Sequence, residues 1–322
     1  MTRMVKVEDS RFLSGITEIP TLKIGKYEFV FETELSEKAR AVAERELRET
    51  TERRTEALAE LKRLLTEDQD LKWPNNDFFL IRFLRKCKFY PESASVLIKK
   101  YFDIKAKYPQ YFYNFNIDYY LEIVNMQMLH LMPKRDHKGR RIAICRVSKQ
   151  FNPDSYSLDE LFKGVSAMME VASSEPDTQV NGVVGILDLE DLSLSHIKPL
   201  TPSFIRFGIK WGQDCIPLRL KALHIVNETT IIDATYAIIK NFLSEKLRSR
   251  IYFHGKDYKS LHEYVAPSCL MTRYGGNVEF EELPKAEEIL SQHADFASSC
   301  LKELEMLHSY GYKKDITENT QL

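Results

Sequence analysis

The apolar positions along the chain keep two rhythms, and the change falls near residue 110. From Glu34 to Leu65 the residues are mostly Glu, Arg, Ala and Leu, which favour helix, and opposite charges sit one turn apart at Glu44/Arg48 and Glu49/Arg53. The apolar seam sharpens at Leu58, Leu61, Leu64 and Leu65 without the regular heptads of a coiled coil, which predicts a solvated helix packing on one side. After Trp73-Pro74-Asn75-Asn76 a second helix is expected over Asp77–Cys87, with Phe79/Phe83 and Leu80/Leu84 as i, i+4 pairs and Arg82, Arg85 and Lys86 on another face. Pro91 opens a third, to about Tyr108. Residues 1–31 hold no sustained period and read as an irregular tail, whereas 32–110 read as an all-helical domain.

Beyond Arg140 short β-type runs alternate with helical ones. Strands are expected at Arg141–Val147, Gly182–Leu189, Leu220–Val226 and Arg250–His254; the second, GVVGILDL, is apolar almost throughout, as a strand covered on both faces would be. Ser157-Leu158-Asp159-Glu160 is a capping box that starts a helix to about Val171, and Thr201-Pro202 caps another to about Trp211. A last helix covers Ile231–Leu243. Strands separated by helices predict an α/β domain with a mainly parallel sheet.

Charge and composition narrow the function. Lys plus Arg (46) and Asp plus Glu (47) nearly cancel, so the 322-residue chain as a whole has no electrostatic reason to bind nucleic acid, and an anionic partner must meet a local patch. The five cysteines are scattered, with no C-x-x-C, and read as free thiols in a reducing compartment. No apolar run reaches the ~18 to 20 residues that span a bilayer, since the greasiest, Thr229–Ile239, is broken by Asp233. The N-terminus lacks a signal peptide's apolar core and a myristoylation signal. The expectation is a cytoplasmic monomer that meets membranes peripherally and transiently.

An α/β domain invites a search for catalysis. No G-x-G-x-x-G, Walker loop or G-x-S-x-G elbow is present, and Gly275-Gly276 reads as a turn. Asp188, Glu190 and Asp191 gather at a strand's carboxyl end, where two carboxylates could act as acid and base or hold a metal; without a His or Lys at predictable spacing they read as caps for the next turn. His196, His224, His254 and His262 read as structural or surface residues, so neither a metal nor a cofactor is expected. What remains is physical. The Ile231–Leu243 helix is apolar around nearly its whole circumference, so it is either core or a cover over something apolar. Beside it Arg219 and Lys221, then Lys240, Lys246, Arg248 and Arg250, form basic clusters that are either a docking surface for anionic lipid or ordinary surface charge.

Five stretches carry a resemblance: FFLIRFLRKCKF (78–89), DTQVNGVVGILDLEDLSLSH (177–196), LTPSFIRFGIKWGQDCIPLRLKALHIVNE (200–228), IIKNFLSEKLRSRIYFHG (238–255) and YGG (274–276). In this order, across about residues 50 to 285, the chain resembles the CRAL-TRIO (Sec14-like) lipid-binding family, and within it the subgroup of α-tocopherol transfer protein, cellular retinaldehyde-binding protein and clavesin. The resemblance implies a helical domain over 32–110, a lipid-binding α/β domain over 111–285 with a cavity between sheet and helices, and a C-terminal helix and tail over 286–322. It makes the apolar helix a movable lid, with Ile231, Ile232, Tyr236, Ile239 and Phe242 as its apolar side chains. It assigns phosphoinositide head groups to Arg219, Lys221, Lys246 and Arg250. Two departures stand out: Cys87 occupies the place of an arginine in the tocopherol carrier, between Lys86 and Lys88, and Thr229 the place of a proline. By position, Phe162, Val165, Met169, Val183, Leu187 and Phe207 face the ligand; Val165 and Met169 stand where the tocopherol carrier has small hydroxyl residues, so a greasier pocket is implied. The function implied is a non-enzymatic carrier of one small hydrophobic molecule, of retinoid, tocopherol or similar type, that transfers it at phosphoinositide-containing membranes. The alternatives are a phosphatidylinositol or phospholipid exchanger of the broader Sec14 type, a hydrolase or dehydrogenase, and a membrane tether.

Overall fold

The computed structural model describes residues 33–113, 125–147, 154–279 and 306–313, with shorter pieces elsewhere, and the architecture below is that of the described residues. Helix α1 (Glu37–Val42) is capped by Ser36, whose hydroxyl accepts from the Ala39 amide and donates to Asp177 at 2.7 Å. It widens into a π turn at Ala43–Leu47 and stops at Arg48, whose φ of 67° is left-handed; α2 (Thr51–Thr66) restarts from the Thr50 cap. The continuous helix expected across this stretch is therefore broken, and tertiary contacts explain why. Glu49 reaches the buried Arg85 through two hydrogen bonds of 2.7 and 2.8 Å instead of pairing with Arg53, and the Arg48 guanidinium lies 4.4 Å from the Tyr90 ring. A buried two-pronged ion pair outweighs an exposed i, i+4 pair of about 0.3–0.5 kcal/mol.

Helices α3 (Asp77–Lys86, capped by Asn76) and α4 (Pro91–Lys107) complete the helical domain, with Leu61, Leu65, Phe79, Phe83, Ile98 and Phe102 in its core. The strand Gly311–Tyr312 pairs antiparallel with Leu71–Lys72, and Leu307 enters the same core, so residues 306–313 return to this domain. Most of 286–305, where a C-terminal helix was expected, lies outside the described residues. Within the stretch 1–31 expected to be irregular, Leu22–Ile24 and Tyr27–Phe29 form a hairpin, and Leu22 and Tyr27 pack on the core of the sheet domain.

The sheet has five strands whose spatial order is their chain order: β1 (Leu129–Leu131), β2 (Arg141–Arg146), β3 (Val183–Asp188), β4 (Leu220–Val226) and β5 (Ile251–Phe253). β1 runs antiparallel to β2, and the other neighbours are parallel. The short β1 was not anticipated from the pattern. Every parallel connection steps in one direction, so right-handed crossovers place all the connecting helices on one face. These are α5 (Leu158–Ser174) and α6 (Pro176–Asn181), then α7 (Leu194–Ile197) and α8 (Pro202–Lys210), then α9 (Thr230–Ile239) and α10 (Glu245–Arg248). The opposite face is covered by α11 (Tyr258–His262) and the turns that follow it. The helical domain grips α5 through Arg82, which donates to Ser173 at 2.9 Å and meets Glu170 at 3.3 Å, while Tyr101 and Lys105 donate to the same carboxylate. Burial works against the Glu170 charge, yet Lys105 and Arg82 hold its pKa below the ordinary value.

Candidate functional site: an open sheet face, an unburied helix and a basic cleft

Successive residues of a strand point to opposite faces of the sheet, and here the two faces differ. On one, Ile142, Ile144, Val184, Ile186, Ala222 and Val226 are at most 4% exposed and merge with Leu261, Val265, Leu270, Met271, Tyr274 and Val278 into one cluster. On the other, Cys145, Gly185, Leu187 and Leu223 remain partly exposed although β3 and β4 are interior strands. They are neighbours: Cys145 is registered with Leu187, and Gly185 with Leu223. Val165, Met168 and Met169 of α5 are likewise partly exposed. The buried apolar residues on this side form three separate clusters, centred on Phe162 and Phe207, on Ala143 and Val183, and on Leu189 and Ile225. Burial, then the nearby Asp188 charge, pushes the Cys145 thiol up to about 12, so it is a neutral wall group.

Of the cavity residues inferred from the sequence, Val165, Met169 and Leu187 are partly exposed, whereas Phe162, Val183 and Phe207 are packed against protein. Phe162 and Phe207 belong to an aromatic cluster, with ring centroids 4.8 Å apart and Trp211 at 4.9 Å from Phe162. Cys145, Gly185, Met168 and Leu223, also partly exposed on this side, were not among them. The two-residue period from Val183 to Leu187 reaches Gly185, but finding Cys145 and Leu223 requires the strand register.

Helix α9 spans Thr230–Ile239, and a turn carries the chain to Leu243. None of its residues is buried: Ile231, Ile232, Tyr236 and Ile239 are half-buried, Ile238 is 55% exposed and Phe242, in the turn, 37%. An apolar helix with no buried residue is not a core helix. Ile232 packs against the cluster of Leu189, Leu192 and Ile225, which Leu187 and Leu223 also border, and the Tyr236 ring lies 4.9 Å from that of Phe253. The following turn is tied to the end of α8 by exposed polar bonds: the Gln213 side chain donates to the Phe242 carbonyl at 3.4 Å and accepts from the Ser244 amide at 2.9 Å.

Basic side chains converge beside the start of β4. Arg219 donates to the Val180 carbonyl at 2.7 Å, Arg250 to that of Leu220 and Lys86 to that of Leu218. Lys221 and the exposed Lys246 flank them. Burial first, then Lys246, Arg219 and Arg250, lower the pKa of Lys86 to about 8. Burial first, then Arg219 and, further off, Arg250, lower Lys221 to about 8 against the opposing pull of Glu46. Cys87, the residue after Lys86, packs beside the helical core, and burial pushes its thiol up to about 11. Gly182, with φ of 86°, lets β3 begin here: a Cβ would lie 2.3 Å from the Arg219 carbonyl and 2.8 Å from Lys221 Cγ.

Two of the carboxylates that suggested catalysis, Asp188 and Glu190, have structural partners. Asp188 accepts from the Glu190 amide at 3.0 Å, Asn227 at 2.7 Å and the Tyr274 hydroxyl at 2.7 Å, and Glu190 pairs with Arg273 at 2.8 Å. His224 lies 2.9 Å from His254, and burial first, then His254, lowers its pKa to about 4. His262 contacts the Tyr274 carbonyl and His196 that of Phe151. Among the described residues no group of three or more His, Cys, Asp or Glu could hold a metal, and no helix is long and apolar enough to cross a membrane. A separate pocket of about 400 Å³ lies where the helical domain meets α6, lined by Phe31, Arg40, Arg54, Ile81 and Gln179 among others; none of the cavity residues inferred from the sequence lines it.

A mixed α/β domain with a mostly parallel sheet, one face left partly open beside an apolar helix, defines a class that comparison with known proteins makes specific. The CRAL/TRIO domain model matches residues 125–276. The chain is 32% identical over 256 residues to the alpha-tocopherol transfer protein-like protein of Mus musculus, covering 79% of this chain and 74% of that one. It is 31% identical over 207 residues to clavesin-1 of Rattus norvegicus, covering 63% and 58% respectively. The crystal structure of Sfh5 aligns with 82% of this chain and 98% of its own, at 14% identity and a TM-score of 0.43. The chain belongs to the CRAL-TRIO family of lipid-binding proteins.

Proposed function

We propose that this protein is a non-enzymatic carrier that holds one small apolar molecule on the open face of its sheet, beneath α9, and exchanges it where α9 and the basic cleft meet a phosphoinositide-containing membrane. The observation that carries this reading is the partly exposed strip Cys145, Gly185, Leu187 and Leu223 on interior strands whose alternate residues are sealed. A ligand burying ~400 Å² of apolar surface there gains about 10 kcal/mol at ~25 cal/mol/Å², against an association cost of ~4 kcal/mol or more. The surplus of about 6 kcal/mol corresponds to a Kd of tens of micromolar without an ion pair. The wall residues Val165, Met168 and Met169 and the neutral Cys145 thiol offer no charged partner for a phosphate, which favours a ligand without a charged head group over a phospholipid. The tocopherol-related name of the mouse relative agrees with that choice.

Release follows from the same parts. Moving α9 away exposes several large apolar side chains, which is unfavourable in water and favourable against a membrane, so opening is coupled to docking. Arg219, Lys221, Lys246 and Arg250 at ~1 kcal/mol each supply about 4 kcal/mol near an anionic surface, roughly a thousandfold in docking. The test replaces all four with Ala and measures lipid affinity in solution separately from transfer to phosphatidylcholine vesicles with and without phosphatidylinositol bisphosphate. Affinity should hold while the bisphosphate-dependent acceleration disappears; equal loss in both would make these residues supports of the fold.

A further inference from the structure

One carboxylate intrudes on the basic cleft, and it comes from the other domain. Glu46 Oε2 lies 3.6 Å from Arg219 Nη2 and 3.7 Å from Lys221 Nζ. Both distances are too long for direct hydrogen bonds, so the attraction is an ion pair in partial contact with water, the kind a stronger anion displaces. Glu46 sits on the π turn Ala43–Leu47, just before the left-handed Arg48. Wide turns of this sort recur at functional sites because they re-aim side chains that a regular helix would carry elsewhere. The backbone around it is fixed independently, by Ser36 on Asp177 on one side and Glu49 on Arg85 on the other. The Glu46 side chain, 40% exposed, can therefore leave the cleft without detaching α1. Partial burial opposes its charge, yet Lys221 and Arg219 hold its pKa below the ordinary carboxylate value, so it is ionised at neutral pH.

A head group that enters the cleft must take Arg219 and Lys221 from Glu46. A singly charged phosphodiester or carboxylate exchanges one negative charge for another and gains little. A phosphomonoester, carrying about −1.5 to −2 charge and three acceptor oxygens, gains both charge and hydrogen bonds. We propose that Glu46 is a specificity-determining residue of the cleft, an internal competitor that occupies Arg219 and Lys221 until a lipid head group bearing phosphomonoesters displaces it. This inference rests on the docking reading above and goes beyond it by assigning the selectivity to a residue of the helical domain.

The test compares the full chain with Glu46→Gln and with Glu44→Gln, a neutralisation two residues away on the same turn, by cosedimentation with three kinds of phosphatidylcholine vesicle: plain, with phosphatidylserine, and with phosphatidylinositol bisphosphate. Glu46→Gln should bind phosphatidylserine vesicles about fivefold more tightly than the wild type, the equivalent of an ion pair worth ~1 kcal/mol. Its preference for bisphosphate should shrink, while Glu44→Gln keeps the wild-type preference and all three proteins melt alike. Adding Arg219→Ala and Lys221→Ala to Glu46→Gln should abolish the gain. If the wild type binds bisphosphate vesicles through those two residues and Glu46→Gln keeps the same selectivity, or gains no more than Glu44→Gln, the competitor role is wrong and docking stands. If neither the wild type nor Glu46→Gln binds any anionic vesicle, the docking reading falls and the competitor role falls with it.

Discussion

The two faces of the central sheet are built from alternate residues of the same strands, yet they are covered in different ways. The closed face uses branched side chains, Ile142, Ile144, Val184 and Ile186, against a segment that follows directly from β5, and its apolar residues form one cluster. The open face presents Cys145, Gly185 and Leu187 at the equivalent positions, with the flexible Met168 and Met169 packed beside Ala143 and Val183, and among the described residues its buried side chains divide into three clusters. Branched residues with few rotamers fill a fixed space; a glycine, a thiol and methionines leave an adaptable one. The contrast supports the proposal that one face serves stability and the other binding.

The largest expected effect attacks that division directly. Ile186→Ala should destabilise the lipid-free protein by about 3–4 kcal/mol, the range for a sealed aliphatic side chain, whereas Leu187→Ala should cost less than ~1.5 kcal/mol. Urea denaturation measures both, and equal losses would erase the distinction between the faces. Next comes the cover of the open face. Ile238→Ser together with Phe242→Ser removes exposed apolar side chains of α9 and its turn. Stability should change by no more than about 0.5 kcal/mol, while transfer to vesicles slows several-fold; an unchanged rate would separate α9 from membrane contact.

The smallest effect is a pH dependence to which the closed face contributes, where His224 stacks on Tyr252 beside His254. Its pKa falls from 6.5 to about 4 on folding, through burial first and then His254 and Arg140. The unfolded chain therefore takes up the proton at higher pH than the folded one. This contribution to stability is fully present above about pH 6.5 and is lost as pH falls toward 4. Denaturation at about pH 7 and about pH 5 should show the loss, and His224→Gln should reduce it, the remainder coming from His254 and His308, whose pKa values burial also lowers; an unchanged slope in the variant would remove His224 from the account.

Much of the scaffold was legible because its signals are local. The Ser157 capping box forms as read, with Glu160 returning to the Ser157 amide at 2.7 Å, and Thr201 caps the helix that begins at Pro202. The apolar run of β3 and the alternation around it placed the interior strands. What stayed hidden depends on long-range pairing. β1 is only three residues long and is defined by its ladder with β2, and the break at Arg48 follows from the reach of Glu49 to Arg85. The site divides in the same way. Pattern alone left the Ile231–Leu243 helix undecided between core and cover, and only the lack of buried residues in its helical part, Thr230–Ile239, removes the first choice. Leu187 and Gly185 lie on one strand at a spacing of two, but their neighbours Cys145 and Leu223 follow from register, and Glu46 joins the cleft only because two domains pack together.

The central claim, that the open face holds the ligand, is tested most directly at Gly185. A Cβ there would meet Leu223 Cδ1 at 3.0 Å, the movable end of a side chain, so Gly185→Leu can be accommodated while its side chain fills the strip. Wild-type protein and this variant are purified in parallel, and the lipid extracted from each is quantified per chain by mass spectrometry alongside thermal melting. The account predicts about one apolar molecule per wild-type chain and at least a tenfold lower occupancy in the variant, with the variant still folded and melting cooperatively. Equal occupancy in the two folded proteins would contradict it.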